Sequence, residues 1–503
     1  MLTRDEFLAA GLLTARHRRN AVVVGGSLAG MMAARVLSDH FDDVTLLERD
    51  RFPETPAPRK GLPQGRHVHA LLERGRRSLE RYFPDLTQEL VRAGAELTDG
   101  TQDIAMLSPY GWYVQCPSKI QLLSSSRDLI DWSVRSRVAA IPNVRIRQGV
   151  DVTGLVRGSD EWAGITGVRI KSRTADFGGD RDELELVADL VVVADGRNSR
   201  LPDWLTALNY EAPQESVVNS FQGYASRIYK PPAGFKADWK HLYIQQAPPD
   251  HPCGGVLAVI EGGRWVVSLI GGDGHYPPTD EAGFLAFARS LRSPSFYEAI
   301  LEAEPLTPIV GQRATENRLR HYERLSGFPD GLVVLGDAAC AFNPVYGQGM
   351  TTATLGAEAL DRWLRDEASR LGSGRSRVFQ RHLAQAVAFP WRLATGEDYG
   401  FRSTEGPPQG RVARLLGRYF DAVVRASTRQ AWVRRRLAEV FHMIRSPAAL
   451  FSPGVLASLT WDWFAGETGA EDWKIEPFRE GTEAVRDGVR PTLMSDPSVS
   501  RGG

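Results

Sequence analysis

A glycine-rich turn near the start of the chain carries the first residues whose types and spacing could do chemistry. Gly25, Gly26, Ser27 and Gly30 directly follow a β-branched run at residues 22–24. A turn of this kind between a strand and a helix brings a pyrophosphate to bare backbone N–H groups at the helix N-terminus. Ser27 replaces the usual middle glycine but is small enough to fit. The pattern predicts a dinucleotide site, with a plain tight turn as the alternative.

An acidic residue ends the second strand of the same unit. Glu48 closes the apolar run at residues 44–47, about 20 positions after the turn, where a carboxylate accepts hydrogen bonds from ribose hydroxyls. Arg49 beside it would suit stacking on an adenine, and a solvated surface charge is an equal alternative. These residues predict a dinucleotide but do not distinguish FAD from NAD.

A second nucleotide-binding element follows a buried strand at residues 332–335. This strand delivers Asp337 to its carboxyl end, where a carboxylate can accept a hydrogen bond from a sugar-alcohol chain. The next loop contains Pro344, Gly347 and Gly349 and leads into a helix. Bare N–H groups at a helix start favour negative charge on a ring nitrogen of a reduced flavin.

These two elements, with Asp195-Gly196 after a third buried strand, resemble FAD-dependent monooxygenases of the aromatic-hydroxylase type over about residues 20–395. The resemblance implies bound FAD and places Arg127 at the pyrophosphate. It also places Arg59 in a loop over the flavin, where loop solubility is the alternative role. The predicted FAD-binding residues are Gly25, Gly26, Ser27, Ala29, Gly30, Glu48, Arg49, Arg59, Arg127, Val152, Asp337, Pro344, Gly347, Gln348, Gly349 and Met350.

Within that family the chain resembles the polyene epoxidases of polyether-ionophore biosynthesis. The strings at residues 59–69, 110–112 and 341–347 carry this likeness. It implies that one oxygen atom from O2 enters a sizeable apolar secondary metabolite, by epoxidation or hydroxylation, through a flavin hydroperoxide. NAD(P)H would supply electrons, either directly or through a separate flavin reductase, because a second glycine-rich β-α-β unit is not evident.

The substrate cavity and the metal content are predicted from scattered residues. His67 and His69 would share a face on a strand, but further ligands are missing nearby, so a structural role is favoured and no metal is predicted. A base constellation for phenol chemistry is not evident, and catalytic residues stay unassigned. Each predicted cavity residue has an ordinary core or sheet-surface alternative. These cavity residues are Trp112, Tyr224, Arg227, Phe342 and Tyr346.

Three other functions remain open. A flavin-dependent halogenase usually carries a Trp-x-Trp-x-Ile-Pro string between the FAD motifs, whereas here the related Trp461-Asp462-Trp463 lies near the far end without Ile-Pro. An FAD-dependent dehydrogenase or reductase would not insert oxygen into its product. Outside the enzymes, a flavin-binding sensor would consume no reductant at steady state.

The elements that position these residues predict an α/β protein. We expect a discontinuous Rossmann-like FAD-binding domain at 18–205 and 316–395, with an inserted antiparallel-sheet substrate domain at 206–315. A helical region and a loose tail after Pro477 make up residues 396–503. Within it, apolar residues recur along one helix face, namely Val412, Leu415, Leu416, Tyr419, Phe420, Val423 and Val424.

Composition narrows the partners and the compartment. The chain has 503 residues, with 61 basic and 61 acidic side chains, so no net field attracts nucleic acid. Three widely spaced cysteines, no signal-peptide pattern and no apolar run near the roughly 20 residues of a membrane span predict a cytoplasmic protein without a transmembrane segment. The basic run at residues 434–436 favours a solvated helix face over a membrane or acidic-carrier contact.

Overall fold

The computed structural model describes residues 19–159, 164–173, 183–313, 315–366 and 374–464. The predicted loose tail after Pro477 lies outside these ranges. In the part of the chain that the structure describes, no helix is long and apolar enough to cross a membrane.

A five-stranded parallel sheet forms the centre of the body that the sequence predicts to bind a nucleotide, here called the nucleotide-binding body. Its strand order is β20-β11-β1-β2-β7, so the first strand of the chain lies in the middle, with neighbours on both sides. Such a strand is buried on both faces, which explains why these strands read as nearly continuous β-branched runs. The strands are β1 (Asn20–Val24), β2 (Asp43–Glu48), β7 (Val144–Gln148), β11 (Leu190–Val193) and β20 (Leu332–Val334).

Helices cover this parallel sheet and share one large apolar core with it. The first is rich in Ala, Met and Leu, which are strong helix formers, and it is buried along most of its length. The helices of this body are α1 (Leu28–Leu37), α2 (Glu73–Tyr82), α3 (Leu86–Arg92), α4 (Arg127–Ala139), α5 (Leu201–Ala207), α8 (Gly349–Arg365) and α9 (Arg375–Asp398).

An eight-stranded, mostly antiparallel sheet forms the second body around its own apolar core. Two helices, α6 (Glu281–Arg289) and α7 (Ser295–Leu301), pack against it. Its strands are β4 (Ile104–Ser108), β5 (Gly111–Trp112), β13 (Gly223–Lys230), β14 (His241–Ile244), β15 (Cys253–Ile260), β16 (Arg264–Gly271), β17 (Glu304–Pro305) and β18 (Val310–Gln312).

Three small sheets contain the remaining strands. They are β8-β9-β10, β12-β19-β21 and the pair β3-β6. Their strands are β3 (Glu96–Asp99), β6 (Gln121–Ser124), β8 (Val150–Arg157), β9 (Ile165–Ser172), β10 (Leu184–Val187), β12 (Glu215–Val218), β19 (Asn317–Arg320) and β21 (Cys340–Ala341).

Three helices close the described part of the chain. They are α10 (Arg411–Ser427), α11 (Ala431–Phe441) and α12 (Pro453–Phe464). Only the C-terminal end of the predicted apolar face on α10 is buried, at Val423 and Val424. Val412 and Leu415 at its beginning are 72% and 68% exposed, so the face does not pack along its whole length as the periodicity predicts.

The predicted fold class is confirmed: a Rossmann-like α/β body, an antiparallel sheet and C-terminal helices are all present. The antiparallel sheet also takes in β4 and β5, which lie at residues 104–112, outside the segment predicted for it at 206–315. β4 pairs in parallel with β14. Local patterns could not indicate this pairing because it joins strands more than a hundred residues apart.

Candidate functional site

The glycine-rich turn packs tightly between β1 and α1. Gly25 adopts a φ of +102°, a conformation that favours glycine. A Cβ on Gly30 would lie 1.8 Å from the Gly25 carbonyl oxygen. Gly30 therefore has no room for any side chain, and the first turn of α1 approaches the end of β1 as closely as backbone atoms allow.

Glu48 lies at the carboxyl end of β2 and faces this turn. Its Oε2 accepts the Gly26 N–H at 2.8 Å, and its Oε1 accepts the Asp50 N–H at 2.9 Å. The side chain is buried, whereas Arg49 is exposed. The structure therefore places Glu48 at the turn. Arg49 lies on the surface, where the sequence allowed either a solvated charge or stacking on an adenine.

Two buried guanidinium groups lie against the same turn. Arg127, the first residue of α4, donates to Ser27 Oγ at 3.2 Å, and Arg59 donates to the Gly26 carbonyl at 3.2 Å. Asp131 lies 3.4 Å from Arg59 and 3.8 Å from Arg127. Burial lowers the pKa of Arg127, and the Asp131 carboxylate opposes that shift. Two cations beside a helix N-terminus make a site for a pyrophosphate.

Asp337 and the loop after it lie at the end of β20. Burial raises the pKa of Asp337, and Arg197 and Arg127 oppose this shift. Gln348 precedes α8 and is 1% exposed, yet its side-chain amide has no hydrogen-bond partner among the described residues. A buried amide without a partner is costly, so a polar ligand at the start of α8 would satisfy it.

Most of the predicted FAD-binding residues converge on one edge of the parallel sheet. Ala29 lies against Gly336, because a Cβ on Gly336 would come within 2.6 Å of the Ala29 Cβ. Met350 is buried, and Val152 on β8 packs against the core of the same body. The tight turn, the two arginines and the unpartnered amide fit a flavin dinucleotide.

A cavity of about 310 Å³ lies between the two bodies and the C-terminal helices. The loop at residues 67–72 and the loop at residues 344–347 form one side, and strands of the antiparallel sheet form another. Helices α10 and α11 contribute Phe420 and Leu437. The walls are mostly apolar, and the cavity reaches the loop that precedes α8.

The structure places two of the five predicted cavity residues in this cavity. Tyr224 and Tyr346 line it. Arg227 lies elsewhere, since it is three residues from Tyr224 on β13 and therefore on the opposite sheet face, where it pairs with Glu281. Trp112 packs against the core of the antiparallel sheet, and Phe342 belongs to the core of the nucleotide-binding body. These three placements correct the sequence-based interpretation.

His67 and His69 lie in a loop rather than on a strand. His69 Nδ1 lies 2.9 Å from the His67 carbonyl oxygen. His67 Nδ1 lies 2.7 Å from Ser226 Oγ, which lies 2.5 Å from Ser268 Oγ, and the latter accepts the Val68 N–H. The structure thus gives both histidines hydrogen-bonded roles.

The tautomer of His67 depends on the direction of the hydrogen bonds in the serine pair. When Ser268 donates to Ser226 and Ser226 donates to Nδ1, both hydroxyl protons have an acceptor, and the imidazole proton is on Nε2. Burial and the nearby Arg66 lower the pKa of His67 to about 4, so the ring is neutral at pH 7. His67 lines the cavity, and its buried Nε2 has no partner within the described residues. With the proton on Nε2, the ring offers one N–H donor to a ligand.

A buried polar network at Asp398 holds the loop before α8. The Asp398 carboxylate accepts hydrogen bonds from Tyr346 at 2.6 Å, Ser220 at 2.7 Å and Gln222 at 3.1 Å, and from Asn317. Burial raises the pKa of Asp398 to about 6, and these hydrogen bonds oppose the shift. The last turn of α9 is thereby joined to the cavity loop.

The same network continues to Tyr224. Asn317 Oδ1 accepts the Asn343 N–H at 2.8 Å, and Asn343 Oδ1 is hydrogen-bonded to the Tyr224 hydroxyl. That hydroxyl also accepts the Val345 N–H at 2.8 Å. Tyr224 and Tyr346 therefore fix the loop at 343–347 from two sides in addition to lining the cavity.

Glu397 is a titratable carboxyl group of the cavity, and it predicts a pH dependence of stability. Desolvation by the surrounding cavity walls and the charges of Asp421 and Asp398 raise its pKa to about 7, although the side chain itself is open to the cavity; the pKa of a Glu in an unfolded chain is about 4.3. The folded state binds this proton more tightly, so the free energy of unfolding decreases as the pH rises between these values. Glu397→Gln removes this contribution.

Urea unfolding at pH 5 and pH 8 measures the effect. The wild type should exceed Glu397→Gln in unfolding free energy by more at pH 5 than at pH 8. Because the Asp398 charge contributes to the Glu397 shift, the two carboxyl groups titrate as a coupled pair, and the difference between the two proteins measures that pair. An identical difference at both pH values would contradict the assignment.

Several groups that line the cavity or lie next to it could not be found from the sequence. Asp398 and Glu397 follow no motif, and Ser226 and Ser268 come near His67 only through the sheet. Arg434 belongs to a basic run that predicts a solvated helix face, yet it is 5% exposed and lines the cavity. Its position on α11 among Val433, Leu437 and Val440, all buried, was the available signal.

The chain is similar in sequence to known proteins. A protein of Mycobacterium tuberculosis, Protein Rv3254, is 33% identical over 414 residues, covering 81% of this chain and 86% of that protein. Kynurenine 3-monooxygenase of Salinispora arenicola is 27% identical over 365 residues, covering 69% and 73%.

A solved structure shares the fold. The crystal structure of p-nitrophenol 4-monooxygenase from Pseudomonas putida superposes with a TM-score of 0.59 at 17% identity, covering 86% of this chain and 99% of that one. The model of the FAD binding domain family matches residues 18–367, about two thirds of the sequence. The chain belongs to the FAD binding domain family.

Proposed function

We propose that this protein is an FAD-dependent monooxygenase that inserts one oxygen atom from O2 into a sizeable, largely apolar substrate. One observation carries the proposal: an apolar-walled cavity of about 310 Å³ reaches the loop at 344–347, directly before the predicted flavin site at the start of α8. The family match and the named monooxygenase relative support it.

Five groups would hold the cofactor. The turn at 25–30 and the guanidinium groups of Arg59 and Arg127 would bind the pyrophosphate, and Glu48 the adenosine ribose. Asp337 would accept a hydrogen bond from the ribityl chain. When bound and reduced, FAD supplies the activation of O2.

The chain itself would position the substrate and exclude water from the cavity. The loop at 344–347, fixed by Tyr224, Tyr346 and Asp398, forms the cavity wall next to the cofactor site. Helices α10 and α11 cover the opposite side, which limits the access of water. His67 Nε2–H would orient a substrate oxygen acceptor.

The cavity is compatible with either epoxidation or hydroxylation. An isolated alkene needs only to be held near the reduced cofactor, whereas a phenol profits from a base. The polyether-epoxidase likeness supports epoxidation. Glu397, with a pKa of about 7, is the carboxyl group that could act as a base in hydroxylation. Glu397→Gln should therefore slow phenol oxidation and leave alkene oxidation unchanged.

The test begins with the purified yellow protein under anaerobic conditions. Bleaching of the flavin by NADPH would show direct use of nicotinamide, and bleaching only after addition of a flavin reductase would show a partner. Turnover under 18O2 should then place one labelled oxygen atom in the product. Product without label would favour a dehydrogenase or reductase. A halogenated product would favour a halogenase. A protein that consumes no reductant would be a sensor.

A further inference from the structure

Arg434 on α11 is a buried cation without an ion-pair partner in the part of the chain that the structure describes. It is 5% exposed, and its guanidinium carbon lies 4.0 Å from the centre of the Tyr113 ring. Within the described residues its guanidinium forms neither a hydrogen bond nor an ion pair, and its Nε is buried without a partner. Its neighbour Arg436, by contrast, pairs with Glu439 at 2.8 Å.

The surroundings of Arg434 do not neutralise it. Tyr113 and His442 line the same cavity, and the pKa of His442 is lowered to about 3 by burial and by Arg434 itself, so that ring is uncharged. Two carboxyl groups also line the cavity. Asp421 is hydrogen-bonded to the Tyr110 hydroxyl, and Glu397 has a pKa of about 7; neither lies within ion-pair distance of Arg434.

An unpaired guanidinium in an apolar cavity is costly to bury. An anion bound in the cavity would offset the free-energy cost of burying this charge. A planar carboxylate is a suitable anion because it matches the two parallel N–H donors of a guanidinium. The cation–π contact with Tyr113 leaves the donors at the guanidinium edge available to such a ligand.

We propose that Arg434 binds a carboxylate group of the substrate, whose apolar remainder lies along the cavity. This inference rests on the proposed function for calling the ligand a substrate. Arg434 lies beyond residues 18–367, the part matched by the family model, so the site belongs to the C-terminal helices of this chain.

Isothermal titration of the purified full-length, FAD-containing protein with decanoate and decanamide tests the proposal. The wild type should bind decanoate about tenfold to a hundredfold more tightly than decanamide, the range expected for a charge-assisted hydrogen bond in a dry site. Arg434→Met should lose this preference while its affinity for decanamide stays unchanged, and Arg434→Lys should keep part of it.

The control is Arg435→Met, one residue along the same helix and half-buried outside the cavity. It should keep the wild-type preference. FAD content and urea unfolding of each variant verify the fold, and Arg434→Lys keeps the test valid if Arg434→Met does not fold.

Equal affinity of the wild type for both compounds, failure of decanoate to bind, or a preference that survives in Arg434→Met would overturn the proposal. These failures are distinct from those of the proposed function. An Arg434-dependent preference in a protein that never inserts labelled oxygen would overturn only the monooxygenase assignment, and labelled product without that preference would overturn only the carboxylate site.

Discussion

Gly30→Ala is expected to yield a protein without FAD that is less stable than the wild type by about 3 kcal/mol, the upper range for overpacking in a close-packed core. The added Cβ would lie 1.8 Å from the Gly25 carbonyl oxygen, and this oxygen belongs to the backbone and cannot rotate away. The first turn of α1 would have to move off β1. That movement would displace the N–H groups that face the pyrophosphate.

The ratio of flavin to protein absorbance after purification measures cofactor retention, and urea unfolding measures stability. Gly417→Ala is the matched control, because a Cβ at that helical position on α10 meets nothing within 4 Å. It should keep full FAD content. A yellow Gly30→Ala protein with wild-type stability would disprove the role of the turn.

Asp398→Ala is expected to lower the free energy of unfolding by about 3–5 kcal/mol, because each buried donor left unsatisfied costs about 1–3 kcal/mol before relaxation. Four donors lose their acceptor at once. Asp398→Asn should lose less, since the amide oxygen still accepts. We also expect weaker FAD binding by Asp398→Ala, because Tyr346 no longer fixes the loop before α8.

Asp250→Ala provides the surface comparison. Asp250 is paired with Arg402 at 3.0 Å, but both side chains are more than 70% exposed. Its loss should cost less than about 1 kcal/mol, as for most exposed ion pairs. If Asp398→Ala unfolds within 1 kcal/mol of Asp250→Ala in urea, the network does not stabilise the fold.

The parts of the fold that depend on neighbouring residues could be predicted from the sequence. The central strand β1 is a β-branched run that leads into a glycine turn. The hairpin β15–β16 consists of apolar runs on both sides of Glu261-Gly262-Gly263. Here the local propensity and the final environment agree, so periodicity alone indicates the element.

The parts that depend on distant contacts could not be predicted. Arg434 is buried because α11 packs against the cavity. The basic run at residues 434–436 has the same composition as a helical turn on the surface, so the composition of the run does not indicate this burial. Conversely, the apolar face of α10 predicts that this whole face is buried. The first half of the helix is instead exposed, with Leu415 68% exposed. Helix periodicity shows which residues share a face, and tertiary packing decides what the face contacts.

The residues of the candidate cofactor site could be predicted from the sequence more completely than those of the cavity. Glu48, Asp337 and the glycine turn occupy strand ends, where an α/β sheet collects its ligands whatever the details of the sequence. The cavity instead combines a loop, a sheet face and helices that lie far apart in the chain. Tyr224 was predicted as a cavity residue. The hydrogen-bonded roles of His67 and Asp398 became visible only in the structure, because their partners lie far away in the sequence.

The order in which the chain supplies its strands restricts how the protein can be synthesised and dissected. The edge strand β20 pairs with β11 across about 140 residues, and β4 pairs with β14 across a similar separation. During translation, the nucleotide-binding sheet stays incomplete until most of the antiparallel sheet has left the ribosome. Neither body can be excised as one continuous fragment, and an exchange of the antiparallel sheet with a relative must transplant residues 104–112 as well.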